Sequence, residues 1–148
     1  MSHYESIYLS AEHIAFRDSL ARFVEEKIQP HIHQWDEDET LPKTLFEEAA
    51  EMGLFGMGYP EELGGIEADA FYRLLSNIEL CKAGSGGLIA ALFSYDIALP
   101  PLVLDKQHPL RNTVVPAVLA GKQRAALCIT EPNAGSDVAN IQTRAEKD

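Results

Sequence analysis

Residues 119–137 read LAGKQRAALCITEPNAGSD, and the character of the chain changes within them. Upstream, apolar residues return every three or four positions, as on one face of a helix. From Ala125 to Thr130 they run together, bounded by Arg124 and Glu131, which is the pattern of a short buried strand. Gly121 closes the helical part. Past Thr130 comes a polar loop with Pro132, Asn133, Gly135, Ser136 and Asp137, and residues 142–146 offer a second strand. The chain of 148 residues therefore reads as mainly α. A helical bundle of about five helices is expected over residues 1–122, and the first one or two strands of a truncated β-domain over 123–148. A lone two-stranded hairpin is marginal in water, and its free edge invites pairing with other chains.

Ahead of this junction the helices can be delimited from their caps and breakers. Ser10 suits an N-cap, and Ile14, Phe16, Leu20, Phe23, Val24 and Ile28 keep helical spacing up to Pro30. HIHQWDEDET, residues 31–40, is polar and reads as irregular. Pro42 fits the first turn of a second helix through Leu45, Phe46, Ala49 and Met52, stopped near Gly53. GLFGMGYPEELGG, residues 53–65, has too many glycines for a helix, and Gly64 and Gly65 are expected to supply positive φ. A third helix runs from Asp69 through Phe71, Leu74, Leu75, Ile78 and Cys81 to about Gly84. The fourth, from about Gly87 to Leu99, is almost wholly apolar and expected to be buried on most sides. Pro100 and Pro101 break it. A fifth uses Leu110, Val114, Val115, Val118 and Leu119, with Pro116 predicting a kink.

Composition narrows the functional classes. Hydrophobic residues make up 46% and charged residues 24%, close to the globular average, which argues against disorder. The net charge of −11 would repel phosphate backbones and anionic lipids, so nucleic acid is excluded as a partner. No run reaches the roughly 18 apolar residues of a spanning helix, so no membrane span is expected. MSHYESIYLS has no basic region followed by an apolar stretch, so a cytoplasmic location is the expectation. Cys81 and Cys128 lie in apolar segments and read as small buried hydrophobes. His31, His33 and Asp36 have a spacing that suits a metal, but their segment lacks further ligands, so no metal site is expected. Glu47, Glu48 and Glu51 read as a solvated helix face.

CITEPNAGSDVAN, residues 128–140, resembles the signature loop of the acyl-CoA dehydrogenase family in its Thr-Glu start and its Gly-Ser-Asp centre. QWDEDETLPKTLFEEAAEMGLFGMGYPEELGG, residues 34–65, resembles the family's first helical hairpin and its Pro-Glu-Glu-x-Gly-Gly turn. LAGKQRAALCITEP resembles its helix-to-sheet crossing. Asn133 stands where relatives commonly have glycine. The resemblance implies a flavoenzyme of helical, β-sheet and helical domains, with FAD between the last two. Such an enzyme converts an acyl-CoA thioester to a trans-2-enoyl-CoA and passes electrons to an electron-transferring flavoprotein. The intact enzyme is expected to be a homo-oligomer.

By the same resemblance, Leu127, Ile129 and Thr130 border the flavin edge, and Gly135 and Ser136 approach the FAD pyrophosphate. Ser136 also touches the acyl-CoA substrate near its pantetheine arm. The family's catalytic glutamate belongs to the last domain, so no catalytic residue is assigned and this chain alone is expected to be inactive. Glu131 and Asp137 are expected to shape the loop, because a carboxylate facing a pyrophosphate is repelled. Phe93, Tyr95, Ile97 and Leu99 suit either an acyl pocket or the core. Two other readings share these features: a flavin monooxygenase or nitroalkane oxidase on the same scaffold, and a non-catalytic helical interaction module.

Overall fold

In the computed structural model, which describes residues 5–146, a short helix α1 (Glu5–Tyr8) precedes α2 (Ala11–Phe23). Ser10 caps α2 as its sequence demands. Its Oγ accepts from the His13 N–H at 3.3 Å, and His13 Nδ1 accepts from the Ser10 N–H at 3.0 Å, forming a reciprocal capping box. With Nδ1 an acceptor, the neutral ring carries its proton on Nε2. That nitrogen lies 3.0 Å from Asp69 Oδ1. Asp69 in turn caps α5 (Ala70–Cys81) by accepting from the Phe71 N–H at 2.9 Å. One buried imidazole thus ties together the starts of two helices that pack on each other.

α2 continues through a π-helical turn, Val24–Ile28, which keeps Val24 and Ile28 in the core beside Leu20. The segment expected to be irregular instead forms α3 (Ile32–Glu37). Its cause is tertiary: Ile32 is buried and Trp35 packs against the core, with His31 stacked on the indole at 5.5 Å. His31 and His33 are exposed, and Asp36 accepts from the Ser85 hydroxyl at 2.8 Å. α4 (Lys43–Glu51) follows Pro42 and buries Leu45, Phe46 and Ala49. The glycine-rich stretch then folds on itself through a bridge between Met57 and Ile66. Gly64 takes the expected positive φ (+87°), but Gly65 does not. Gly65 is needed for proximity: a Cβ there would lie 2.0 Å from the Tyr59 carbonyl oxygen.

The fourth expected helix is two short ones, α6 (Gly86–Leu92) and α7 (Tyr95–Ala98), and a further helix, α8 (Pro100–Leu104), follows where only a break was expected. The prolines start α8 rather than ending a helix, since their missing N–H groups fall in the first turn. Burial is also one-sided. Leu88, Leu92, Tyr95 and Leu99 are core residues, whereas Ile97 is 62% and Leu104 81% exposed. Residues 86–104 together have the length and hydropathy of a spanning segment, by length and composition alone. Their inner face belongs to the bundle core, shared with Phe55, Val115 and Val118. α9 (Arg111–Leu119) carries Pro116 inside it. Buried Arg111 fastens the preceding turn, bonding the Val103 carbonyl at 3.2 Å and Glu62 at 3.0 Å.

After Gly121 the two expected strands do not pair into a sheet. Among the described residues the segment holds only an isolated bridge between Glu131 and Ala134 and a single 3-10 turn, Val138–Asn140. A strand is defined by the neighbour it bonds, and residues 125–130 have none here. Cys81 and Cys128 are both exposed, against the expectation that they are buried.

Candidate functional site

The polar loop is held where it leaves the bundle. Gly121 turns the chain with φ of +70°, and a Cβ on it would lie 2.3 Å from the Phe46 carbonyl oxygen, so only glycine lets α9 end this close to α4. Three residues on, the Arg124 guanidinium sits 4.6 Å from the centroid of the same Phe46 ring. Next, the Ser94 hydroxyl donates to the Ala125 carbonyl at 2.9 Å. Ser94 lies between α6 and α7, so the break in the apolar run is where the exit segment is fastened.

Beyond Ala125 the chain presents unspent hydrogen-bonding groups. Leu127 and Ile129 are 45% and 46% exposed, and Thr130, Gly135 and Ser136 are exposed too. Among the described residues no backbone N–H from 126 to 130 bonds a backbone carbonyl. An added Cβ on Gly135 would meet nothing within 4 Å. This inventory suits a dinucleotide wall: open main-chain donors and acceptors, two hydroxyls and a glycine that admits close approach. It supplies no cation to neutralise a pyrophosphate.

The two loop carboxylates look inward. Glu131 accepts from the backbone N–H groups of Gln142 and Thr143 at 2.9 and 2.8 Å, closing the loop into a clasp. Hydrogen bonding to Thr143 and then to Gln142 holds its carboxyl below the ordinary glutamate value, which suits an acceptor and not a base. Asp137 bonds the Asn140 side chain across the 3-10 turn.

The four pocket candidates separate. Tyr95 and Leu99 are buried, Phe93 is half-buried and Ile97 faces out. Tyr95 packs at tilted angles among Phe55, Tyr59 and Phe93, with its hydroxyl donating to the Leu54 carbonyl at 3.2 Å. Sequence reasoning missed the neighbouring polar cluster. Asp96 pairs with Arg73 of α5, and Arg73 also bonds the Met57 carbonyl at 3.1 Å. Burial raises the Asp96 carboxyl above its ordinary value even though Arg73 pulls the other way. Burial and then the Asp96 charge push the Tyr59 phenol up to about 12. The signal was present: Asp96 is the one charged residue between Gly86 and Leu104.

Residues 10–122 match the family model for the acyl-CoA dehydrogenase N-terminal domain. Benzylmalonyl-CoA dehydrogenase of Aromatoleum aromaticum is 36% identical over 94% of this chain and 37% of its own length. Among solved structures, acyl-CoA dehydrogenase from Geobacillus kaustophilus superposes with a TM-score of 0.82 at 31% identity, covering 96% of this chain and 37% of that one. A Bacillus anthracis acyl-CoA dehydrogenase complexed with FAD gives 0.75 at 28%, covering 91% and 23%. The chain spans about a third of the length of the curated relatives it matches. The chain belongs to the acyl-CoA dehydrogenase family and carries its N-terminal helical domain.

Proposed function

We propose that this chain is the N-terminal part of an FAD-dependent acyl-CoA dehydrogenase, with the helical domain over residues 1–122 and the opening of the flavin-binding middle domain over 123–148. The observation that carries the reading is the fastened exit segment, in which, among the described residues, no backbone N–H from 126 to 130 bonds a backbone carbonyl and Thr130, Gly135 and Ser136 are exposed. In this reading the main chain of Leu127 and Ile129 and the Thr130 hydroxyl orient the flavin edge. Gly135 and Ser136 offer N–H groups to the pyrophosphate, and Ser136 also bonds the pantetheine arm of the acyl-CoA. The flavin, when bound, accepts the β-hydride as the thioester becomes a trans-2-enoyl-CoA. Electrons then pass to an electron-transferring flavoprotein.

In this reading the α-proton goes to no residue of this chain, because the family resemblance puts the catalytic glutamate in the last domain. Glu131 is engaged with two backbone donors, and Asp96 is paired with Arg73. The chain by itself is therefore inactive, since loss of a general base costs roughly 10²–10⁴-fold. A cytoplasmic, homo-oligomeric holoenzyme completes the proposal.

The test is to purify the product of this gene from its native host, measure its mass and flavin content, and add acyl-CoA without oxygen. The expected result is a longer flavoprotein whose absorbance bleaches as enoyl-CoA forms. A flavin-free product, or bleaching by a nitroalkane alone, overturns the proposal. The 148-residue chain mixed with FAD should retain little of it after gel filtration. Stoichiometric retention would sink the claim that these residues form only one wall.

A further inference from the structure

Ser10, Ser85 and Ser94 each stand at the N-cap of a helix, and the first two do what that position calls for. Ser10 accepts from the His13 N–H at 3.3 Å and Ser85 from the Leu88 N–H at 3.1 Å, so each satisfies an open donor of its own helix. Ser94 makes no such bond to α7. Its hydroxyl, half-buried at the α6–α7 corner, turns away and donates instead, with the Ala125 carbonyl at 2.9 Å and the Ala91 carbonyl at 3.2 Å. A serine hydroxyl carries one proton, so the shorter contact takes the larger share of it. The Ala91 bond is the local one that a serine makes to its own helix. The Ala125 bond crosses to the exit segment, at the expense of a cap on α7.

Ala125 is where that segment leaves the core. It is half-buried, whereas Ala126 to Thr130 are exposed and, among the described residues, none of their N–H groups bonds a backbone carbonyl. The neighbouring contact of Arg124 with Phe46 holds a side chain and leaves the main chain free to turn. Ser94 holds the main chain itself. A peptide unit is planar, so a bond to the Ala125 carbonyl also sets where the Ala126 N–H points, and with it the direction in which the open segment starts.

We infer that Ser94 is a positioning residue for the flavin: by fixing the peptide between Ala125 and Ala126, its hydroxyl aims the main chain of Leu127 and Ile129 and the Thr130 hydroxyl at the flavin edge. Ser94 touches neither flavin nor substrate and acts only through Ala125. The inference rests on the flavin reading above and adds to it a residue of the helical domain. That domain lies outside the pair that holds FAD by the family resemblance, and through Ser94 it sets the geometry of the flavin wall.

The test uses the full-length flavoprotein purified as the product of this gene. Ser94→Ala removes the hydroxyl and Ser94→Thr keeps it. Ser85→Ala is the control, because it removes a hydroxyl that caps α6 and bonds Asp36 at 2.8 Å, with no bond to the exit segment. Each protein is stripped of FAD and titrated with it by flavin fluorescence, and the absorbance of the reconstituted enzyme is recorded. Ser94→Ala should weaken FAD binding about fivefold, the equivalent of one neutral hydrogen bond, and displace the visible flavin bands. Ser94→Thr should match the unaltered enzyme. Ser85→Ala should lower the melting temperature at least as much as Ser94→Ala yet leave FAD affinity and spectrum unchanged. Unchanged affinity and spectrum in Ser94→Ala, a folded Ser94→Thr that binds FAD no better than Ser94→Ala, or an equal loss of FAD in Ser85→Ala would each overturn the inference. An unaltered product without flavin would overturn the reading beneath it and this inference with it, so the unaltered enzyme tells the two failures apart.

Discussion

Replacing Gly121 by alanine tests the junction between the bundle and the loop, and a second glycine supplies its control. Gly84 and Gly121 have similar positive φ, +79° and +70°, so alanine at either bears the left-handed penalty of roughly 1–2 kcal/mol. Their surroundings differ. A Cβ at Gly84 meets nothing within 4 Å, whereas one at Gly121 falls 2.3 Å from the Phe46 carbonyl oxygen and 2.9 Å from the Glu47 Cα. Those atoms are helix backbone and cannot swing aside, so α9 must back away from α4. Overpacking of this kind costs about 1–3 kcal/mol more. Gly121→Ala should therefore lose about 2–5 kcal/mol, a large share of the roughly 5–15 kcal/mol that holds a domain together. Urea unfolding of both variants, followed by far-UV circular dichroism, measures the difference. The Gly121→Ala midpoint should fall about 0.3–3 M of urea below that of Gly84→Ala, from the extra 1–3 kcal/mol and a slope near 1–3 kcal/mol per molar. Coincident midpoints would refute the close approach of Gly121 to Phe46.

Two further outcomes are expected. Leu99→Ala, at a fully buried position, should cost about 2–5 kcal/mol, whereas Ile97→Ser, on a 62% exposed neighbour, should stay within about 0.5 kcal/mol; comparable losses in thermal melts would contradict the one-sided burial of this stretch. The Glu131 clasp should open in acid: its carboxyl titrates below the ordinary value, so its contribution is complete above about pH 4.3 and disappears as pH falls through the lower folded value. An NMR titration should show the Gln142 and Thr143 amides moving together below that pH, and movement centred near pH 6 would contradict the assignment.

Local chemistry was legible where a residue acts on its own backbone. Ser10 caps its helix in the structure as its hydroxyl suggests, and Gly64 turns the chain with the positive φ expected of it, although Gly65 does not. What escaped depends on partners distant in sequence. α3 exists because Ile32 and Trp35 reach the core. Pro100 and Pro101 mark one break in the stretch from 86 to 104, but the bend at Phe93 and Ser94, where Ser94 meets Ala125, carries no such signal. The Arg73–Asp96 pair joins residues 23 apart and carries no periodic signature. At the loop, the placing of Glu131 and Asp137 as shapers follows from their short reach and from the cost of facing an anion. Strand pairing beyond Gly121 was not foreseeable from periodicity, which reports that a segment suits a sheet and not whether a neighbour is present.

The fastening of the exit segment also decides how the molecule bears mechanical load. Gly121 and Arg124 both engage Phe46, and Ala125 is bonded to Ser94. Traction on the chain beyond residue 125 is therefore not passed first along α9, the helix that precedes it. It divides between α4 and the α6–α7 corner, which are 78 and 31 residues away in sequence at Phe46–Arg124 and Ser94–Ala125. Those two attachments act in parallel, so the helix interior is shielded until both have yielded. In a single-molecule pull from the C-terminal end, the first event is the release of this short strap, and α9 unravels only afterwards.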